Sequence, residues 1–235
     1  MDTDTLDGFA DSGLVADFMT GLSIMDGMGL TEGFGHLSAR VPSGFAITPA
    51  LAPGLAQPSD LLVLGPDGHL LRAVDGRTPA LETPLHTAIY RSREDIGALC
   101  RTHSPWAVAW GLRAEPHRPA HGFGLMLGEQ VPYHGDGNLV ATAAAGAEAA
   151  TALGAARALF LKGNGLIVSG RTVREAVIRA LYLEESCRIA LCCGGVAQAA
   201  RFTQAEREAR SVWHDAELAR AWGYYAARAS RRLPK

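Results

Sequence analysis

The sequence predicts an α/β domain in which a mixed β-sheet lies between two layers of helices. Three observations predict this fold: strand-like and helix-like segments interleave, a β-hairpin occurs early, and neither a linker nor a fixed-period repeat divides the 235 residues. Hydrophobic residues make up 48% and charged residues 20%, a composition that can bury a core. We therefore expect one folded domain over residues 1–235 rather than a disordered chain.

Turn and capping residues define the elements of the first half. Apolar residues recur at helical spacing over 8–28, and Pro49 stops a short strand. Gly65-Pro-Asp-Gly68 has proline and glycine where a tight turn requires them, which predicts a hairpin, and Pro84 suits a first helical turn. The predicted elements are a helix over 8–28, strands at 36–40 and 45–48, a hairpin over 61–72, a helix over 84–93, a strand at 98–103 and a helix from 104.

The second half is defined in the same way. Asn138 is predicted to cap an alanine-rich helix, and Thr172 with Glu175 forms a T-x-x-E capping box. Gly163-Asn-Gly165 predicts a turn between two buried strands. The predicted elements are a helix that ends near 154, strands at 158–161 and 166–168, a helix from 173 to a stop at Gly194-Gly195, and a last amphipathic helix over roughly 205–230.

Composition and charge argue against several classes of function. The 22 basic and 24 acidic residues give a formal net charge of -2, which argues against a nucleic-acid partner. An acidic N-terminus and the lack of a long uncharged apolar stretch predict neither a signal peptide nor a membrane partner, so we expect a cytoplasmic protein. The four cysteines include no C-x-x-C pair and are predicted to be buried thiols.

Two side chains on one strand form the first candidate site. Alternate residues of a strand point to one face, so Arg101 and His103 converge at the C-terminal end of the strand, where α/β sheets commonly place ligands. An arginine beside an imidazole can clamp a carboxylate or an oxyanion next to a proton donor. Glu82, before a helix, and Asn164, in the glycine turn, are further candidates.

The order and spacing of these segments resemble the class II aldolase/adducin family. The matching landmarks span about residues 10–195 and are Gly35-His-Leu-Ser-Ala-Arg40, Ile47-Thr-Pro49, Pro66-Asp-Gly68, Glu82-x3-His86-x3-Tyr90, Thr102-His-Ser-Pro105, the Gly165 turn and Leu183-Glu184. The resemblance implies a three-layer α/β/α fold with a largely antiparallel sheet, and a homotetramer with active sites between subunits. It also implies an aldolase, epimerase, dehydratase or decarboxylase that stabilises an enolate-like anion on a divalent metal.

The positions of the family's metal ligands differ in this chain. The family uses an H-x-H pair and a histidine in the glycine turn, and these positions are Arg101, His103 and Asn164 here. A guanidinium stays protonated and cannot ligate a metal. We therefore expect no metal cofactor; the alternative is Zn, Mn or Fe bound through His103 and non-family ligands such as Glu82 or His121.

The phosphate-binding positions of the family also differ. A Ser-Ser pair of the sugar-phosphate members is replaced by Ala80 and Leu81, and the asparagine of the first glycine turn is replaced by His36. The resemblance therefore implies a small, non-phosphorylated carboxylic acid as the substrate. It also places the family's catalytic acid/base carboxylate at Glu82.

Several candidates have a structural interpretation beside the functional one. Arg101 also suits a buried ion pair with Glu82, and Asn164 also suits left-handed backbone geometry between two glycines. We assign catalysis to Glu82, Arg101 and His103, and His86 is interpreted as a packing residue. The residues assigned to substrate binding are Asn164, His121 and Tyr224. His121 and Tyr224 are included because the resemblance implies that these regions approach the substrate.

These assignments predict a carbon–carbon lyase, foremost a decarboxylase of a hydroxyaromatic or β-keto acid. Arg101 and His103 would stabilise a carbanion- or enolate-like intermediate, and Glu82 would pass the proton. Retro-aldol cleavage and cyclisation use the same groups and stay open. The alternatives are a metal-dependent aldolase or decarboxylase with altered ligands, and a non-catalytic adducin-like oligomeric module.

Overall fold

A computed structural model describes residues 12–194 and 202–231. In chain order the elements are α1 (Ser12–Gly27), β1 (His36–Val41), β2 (Gly44–Ile47), β3 (Leu62–Leu64), β4 (Leu70–Arg72), α2 (Thr83–Ser92), β5 (Ala98–Thr102), α3 (Pro105–Gly111), β6 (Tyr133–His134), α4 (Ala143–Leu153), β7 (Ala158–Leu161), β8 (Leu166–Gly170), α5 (Val173–Cys192), α6 (Gln204–Arg210) and α7 (Asp215–Ser230). Short 3-10 turns occur at Pro53–Leu55, Pro58–Asp60 and Gly122–Leu127.

The strands form one eight-stranded sheet with the order β4-β3-β2-β1-β5-β8-β7-β6. Every neighbouring pair is antiparallel except β6 and β7, which are parallel. The predicted mixed, largely antiparallel sheet is therefore confirmed. Strands β1 and β5 lie at its centre, and their register pairs His36 with Arg101.

Helices cover both faces of the sheet and bury a separate apolar core on each. On one face, α2 and α4 pack against each other, and Leu85 and Ile89 of α2 belong to one buried apolar cluster with Leu99 and Ile167 of the sheet. On the other face, α1, α3, α5 and α7 enclose a larger core. Consecutive residues of a strand point to opposite faces of the sheet. In β5, Leu99 therefore lies in the core under α2 and α4, and Cys100 lies in the larger core. This arrangement is the predicted α/β/α layering.

Two sequence predictions about helix ends are wrong. Thr142, not Asn138, caps α4, because its hydroxyl accepts a hydrogen bond from the Ala145 amide at 3.2 Å, whereas Asn138 donates to Asp136. The predicted last helix over 205–230 is two helices. A second capping box at His214 and Glu217 starts α7 anew after α6 has ended.

Other predictions are confirmed in part. Thr172 caps α5 as predicted, but the Glu175 carboxylate accepts from the Arg171 amide at 2.6 Å rather than from Thr172. Cys100 and Cys187 are buried, whereas Cys192 and Cys193 are exposed at the end of α5, where the helix leaves the core. Residues 8–11 of the predicted first helix and Gly195 lie outside the described residues.

A glycine brings the turn after β7 against the end of β5. Gly165 has a φ of 73°, and a Cβ at this position would lie 2.1 Å from the carbonyl oxygen of Thr102. Only glycine permits this approach without backbone movement. The approach places Asn164 beside His103, which follows the end of β5.

The start of α3, directly after His103, is held by a carboxylate from α5. The Glu184 carboxylate accepts hydrogen bonds from the backbone amides of Trp106 at 2.9 Å and Ala107 at 2.8 Å. These amides belong to the first turn of α3 and have no partner within the helix. Glu184 therefore fixes the segment that follows His103 to helix α5 of the same layer.

We expect Glu184→Ala to lower the free energy of unfolding by about 2 kcal/mol, because two amides lose a charged acceptor. Glu185→Ala is the matched control on the same helix: Glu185 pairs with the exposed Arg188 and should contribute less than about 1 kcal/mol. Urea denaturation of both variants measures the difference. Equal losses of stability would show that the contact with α3 contributes nothing specific.

Candidate functional site

A pocket of about 590 Å³ opens at the ends of β1 and β5. Glu82, His103 and Asn164 all border it, so the structure brings these three predicted residues together. Its rim is apolar, and the exposed side chains there include Phe34, Leu81 and Leu139. The pocket thus combines a polar floor with an apolar entrance, which is the usual build of a small-molecule site.

A buried ion pair lies at the floor. Glu82 is the N-cap residue of α2, and its Oε2 accepts a hydrogen bond from the Arg101 Nε at 3.0 Å. The Arg101 side chain is fully buried, and that of Glu82 is 5% exposed. Arg101 does not border the pocket; its Nη1 donates to the carbonyl oxygens of Thr102 and Leu166. The ion pair proposed from the sequence is therefore present, with Glu82 between Arg101 and the pocket.

His103 is the partly buried imidazole at the pocket wall. Its side chain hydrogen-bonds to Asn164, and its backbone amide donates to the Leu30 carbonyl oxygen at 3.1 Å. Burial and the nearby charge of Arg101 lower the pKa of His103 from 6.5 to about 4. The imidazole is therefore neutral at pH 7 and can donate one hydrogen bond while it accepts another.

A second imidazole in the pocket, His36, was missed as a site residue by the sequence analysis. It lies at the start of β1, opposite Arg101, and borders the pocket with Glu82 and His103. Burial, with a further contribution from the Arg101 charge, lowers the pKa of His36 to about 4. The available signal was the replacement of the family's asparagine by histidine, but only the pairing of β1 with β5 shows that this residue faces the site.

His86 lies behind His36, in the interior of the α2 layer. It is fully buried, as its interpretation as a packing residue requires, and its Nδ1 lies 2.8 Å from the Ser38 hydroxyl. The Ser38 hydroxyl in turn lies 2.9 Å from the Tyr90 hydroxyl. Burial lowers the pKa of His86 well below its ordinary value, so this imidazole is also neutral.

The other two predicted substrate-binding residues lie elsewhere. His121 and Tyr224 border a second, larger groove of about 1120 Å³ between the Gly122–Leu127 turn and helices α5, α6 and α7. Aromatic rings line it, and Phe123 stacks on Tyr182 with a centroid separation of 5.1 Å. Within one chain the structure does not bring His121 or Tyr224 to the pocket of Glu82.

The donor set at the family's metal position does not fit a metal ion. The positively charged guanidinium of Arg101 occupies the first ligand position, and Asn164 supplies an amide in place of the third imidazole. Within residues 12–194 and 202–231, no three His, Cys, Asp or Glu side chains are grouped closely enough to hold a metal. The mechanism below therefore contains no step on a metal.

Comparison with known proteins gives the family. The profile of the class II aldolase and adducin N-terminal domain matches residues 18–191. The chain belongs to the class II aldolase and adducin family. The resemblance stated from its motifs is thus confirmed.

The relatives in this family are named for different reactions, which include decarboxylation and aldol cleavage. The chain is 31% identical to the 3,4-dihydroxyphthalate decarboxylase of Terrabacter sp. (strain DBF63), over 73% of this chain and 78% of that protein. It is 29% identical to the 5-methylthioribulose-1-phosphate/5-deoxyribulose-1-phosphate aldolase of Rhodospirillum rubrum, over 67% of this chain and 71% of that protein. An aldolase II superfamily protein from Pseudomonas syringae shares the fold, with a TM-score of 0.81 at 21% identity over 93% of this chain and 92% of that one.

In the parts of the chain that the structure describes, no helix is both long and apolar enough to cross a bilayer.

Neutral imidazoles make the stability of this protein sensitive to acid. His36 and His103 have a pKa of about 4, and His117, buried against Trp110, has a pKa of about 3. The unfolded chain takes up protons near pH 6.5 that the folded chain does not. Stability is therefore fully present above about pH 6.5 and falls as the pH is lowered toward 4, by up to about 1.4 kcal/mol per pH unit for each group.

Melting temperatures measured from pH 7.5 to 4.5 should decrease along this window. The His103→Gln variant, which has one titrating imidazole fewer, should show a shallower decrease. A melting temperature that stays constant between pH 7 and 5 would show that these imidazoles take up protons at the same pH in the folded protein as in the unfolded chain.

Proposed function

We propose that this chain is a carbon–carbon lyase that decarboxylates a small, non-phosphorylated hydroxyaromatic or β-keto acid. The observation that carries the proposal is the fixed cation of Arg101 beneath a pocket bordered by Glu82 and neutral His103. The curated relatives support a lyase, since their names include decarboxylases and aldolases. The site residues remain Glu82, Arg101 and His103 for catalysis, and Asn164 for substrate binding through its contact with His103.

The proposed reaction breaks the bond between the carboxyl carbon and its neighbour. The carboxyl group leaves as CO2, and the electron pair stays on the substrate as a carbanion or enolate. The Arg101 charge stabilises this anion from below the floor, and His103 donates a hydrogen bond to its oxygen. Glu82 passes a proton from solvent to the carbon that lost CO2.

The pocket lining supports the choice of substrate. Ala80 and Leu81 stand directly before Glu82 and border the pocket, and Leu81 is 72% exposed at its mouth. No lysine or arginine borders this pocket in the described part of the chain, so a phosphate dianion would lack a positively charged partner there. Apolar side chains such as Phe34 and Leu139 suit an aromatic or other flat acid.

An open pocket also favours an enzyme over the non-catalytic adducin-like module. A scaffold has no need to keep unpaired polar atoms next to a cavity, yet Oε1 of Glu82 is buried there without a partner. Retro-aldol cleavage and cyclisation through an enolate remain the alternative reactions of the same groups. The homotetramer and the cytoplasmic location belong to this proposal, and in a tetramer His121 and Tyr224 would approach the pocket of a neighbouring subunit.

The decarboxylase proposal is tested by CO2 release from a panel of hydroxybenzoic, dihydroxyphthalic and β-keto acids. We expect Arg101→Lys to lower kcat/KM about a hundredfold, because a lysine cannot reproduce the planar guanidinium that holds Glu82 and two carbonyl oxygens. Its melting temperature should also fall, since Arg101 is fully buried.

Arg179→Lys is the matched control for this variant. Arg179 is also buried, pairs with Glu175 at 2.6 Å and donates to the Ser169 carbonyl oxygen, but it does not border the pocket. The Arg179→Lys variant should be less stable than the wild type and should keep the wild-type kcat/KM per folded molecule. If the two variants behave alike, Arg101 is a structural residue only. If the wild-type protein releases no CO2 from any of these acids, the decarboxylase assignment is wrong.

The metal-free mechanism has a separate test. Arg101→His restores the H-x-H pair, and Arg101→His with Asn164→His assembles three imidazoles. We expect the wild type to keep its activity in chelator and to bind Zn²⁺ weakly, and the double variant to bind Zn²⁺ at least tenfold more tightly than the single variant by calorimetry. Equal affinities would show that these positions do not converge, and chelator-sensitive wild-type activity would favour the metal-dependent alternative.

A further inference from the structure

We propose that His36 is a second substrate-contacting residue, which presents an Nε2–H donor to the developing oxyanion, and that the buried chain of His86, Ser38 and Tyr90 fixes this tautomer. The proposal deepens the function proposed above and rests on it for the identity of the reaction. The tautomer itself is a property of the protein alone and is tested without substrate.

The position of His36 follows from the sheet. Antiparallel pairing of β1 with β5 sets His36 opposite Arg101, and Gly35 permits the close approach, since a Cβ there would lie 3.0 Å from the Arg101 carbonyl oxygen. The imidazole borders the pocket, but its Nδ1 is buried and has no hydrogen-bond partner among the described residues. Nε2 is therefore the nitrogen that can face a ligand.

His86 supplies the missing partner of Nδ1. The rings of His36 and His86 lie 5.7 Å apart, and Nε2 of His86 is likewise buried without a partner. Buried polar atoms in native proteins are nearly always hydrogen-bonded. Two enclosed, unpaired nitrogens on neighbouring rings therefore satisfy each other, directly after a small rotation of one ring or through one water molecule.

The direction of this hydrogen bond is set at the far end of the chain. Burial raises the pKa of Tyr90, so its hydroxyl keeps its proton, and its oxygen hydrogen-bonds to the backbone of Leu99. Among the described side chains, Ser38 is the one within hydrogen-bond distance of the Tyr90 hydroxyl, so the Tyr90 proton is donated to Ser38 at 2.9 Å. Ser38 then donates to Nδ1 of His86 at 2.8 Å.

This direction determines which nitrogen of each imidazole ring carries the proton. His86 receives a hydrogen bond at Nδ1, so its own proton is on Nε2 and is donated toward Nδ1 of His36. The proton of neutral His36 must then be on Nε2, which faces the pocket. Reversing every bond would leave the Tyr90 proton without an acceptor in the chain described here.

This arrangement restricts the substrate class. His36 and His103 lie close enough to influence each other's charge, and both border the same pocket. Two imidazole donors above a buried cation suit one oxygen that becomes negative. In an ortho-hydroxyaryl acid or a β-keto acid this oxygen is held on the carbon next to the one that loses CO2. We therefore infer an acid with an oxygen substituent at that position.

The tautomer is tested by ¹⁵N NMR of histidine-labelled protein without ligand at pH 7. His36 should give the chemical shifts of the Nε2–H tautomer, and Ser38→Ala, which removes the link between Tyr90 and His86, should give a mixture of tautomers. A His36 signal from the Nδ1–H tautomer in the wild type overturns the proposed chain. Unchanged shifts in Ser38→Ala overturn the role of the chain in fixing the tautomer.

Substrate contact is tested with salicylate, an ortho-hydroxyaryl acid, as the probe. Its addition should shift the Nε2 resonance of His36, and His36→Leu should weaken salicylate binding at least tenfold. His36→Gln, which keeps a side-chain N–H donor, should bind within about threefold of the wild type. The control is His69→Leu, which removes an exposed imidazole paired with Asp67 on the β3–β4 turn, away from the pocket. No shift at His36 and unchanged binding by His36→Leu would overturn the contact.

Turnover separates this inference from the proposed function. With an acid that the wild type decarboxylates, His36→Leu should lower kcat about a hundredfold, the usual cost of losing an oxyanion donor, and His36→Gln should recover most of it. Unchanged kcat in His36→Leu overturns the inference while the decarboxylase assignment stands. Absence of turnover in the wild type overturns that assignment, whereas the NMR and salicylate results still decide the role of His36.

Discussion

The ion pair between Arg101 and Glu82 is the interaction on which the rest of the site depends. Both groups are almost completely buried, and a buried charge is tolerated only when it is paired and hydrogen-bonded. The pair joins the central strand β5 to the N-cap residue of α2, so it also sets where that helix begins relative to the sheet. Arg101 Nη1 donates in addition to the Thr102 and Leu166 carbonyl oxygens, so two of its three guanidinium nitrogens are held by hydrogen bonds.

A fixed cation determines the state of its neighbours. Its charge adds to the effect of burial in lowering the pKa of His36 and His103, and both imidazoles are neutral at physiological pH. A neutral imidazole offers one donor and one acceptor, and a hydrogen-bond network decides which nitrogen carries the proton. In the proposed reaction this combination stabilises negative charge as it develops, because the dipoles are already oriented before the reaction starts.

The division of aromatic residues between two cavities has a consequence for assembly. The groove that contains His121 and Tyr224 is lined by stacked rings and lies apart from the pocket of Glu82. The functional assignment of these two residues therefore depends on a neighbouring subunit, whereas that of Glu82, His103 and Asn164 does not. Glu82, His103 and Asn164 thus border the pocket within one chain.

The sequence by itself determined the type and order of the elements and the α/β/α layering. These follow from local patterns: hydrophobic periodicity, proline and glycine positions, and alternation along a strand. The motif order shared with the family marked Glu82, His103 and Asn164 as site residues, and the structure brings them to one pocket. Local patterns predicted the wrong helix start where two capping residues, Asn138 and Thr142, lie within a few positions of each other. They also missed the capping box at His214, which interrupts a continuous amphipathic pattern and starts a new helix.

Only the tertiary structure decided which side chains face one another. Arg101 was equally compatible with a substrate clamp and with a structural partner, and its complete burial behind Glu82 follows from how α2 packs on the sheet. The site role of His36 depends on the register of β1 against β5, and its contact with His86 depends on α2. Such pairings join segments that are distant in sequence, and their burial sets charge and tautomer, so no local pattern of residues contains them.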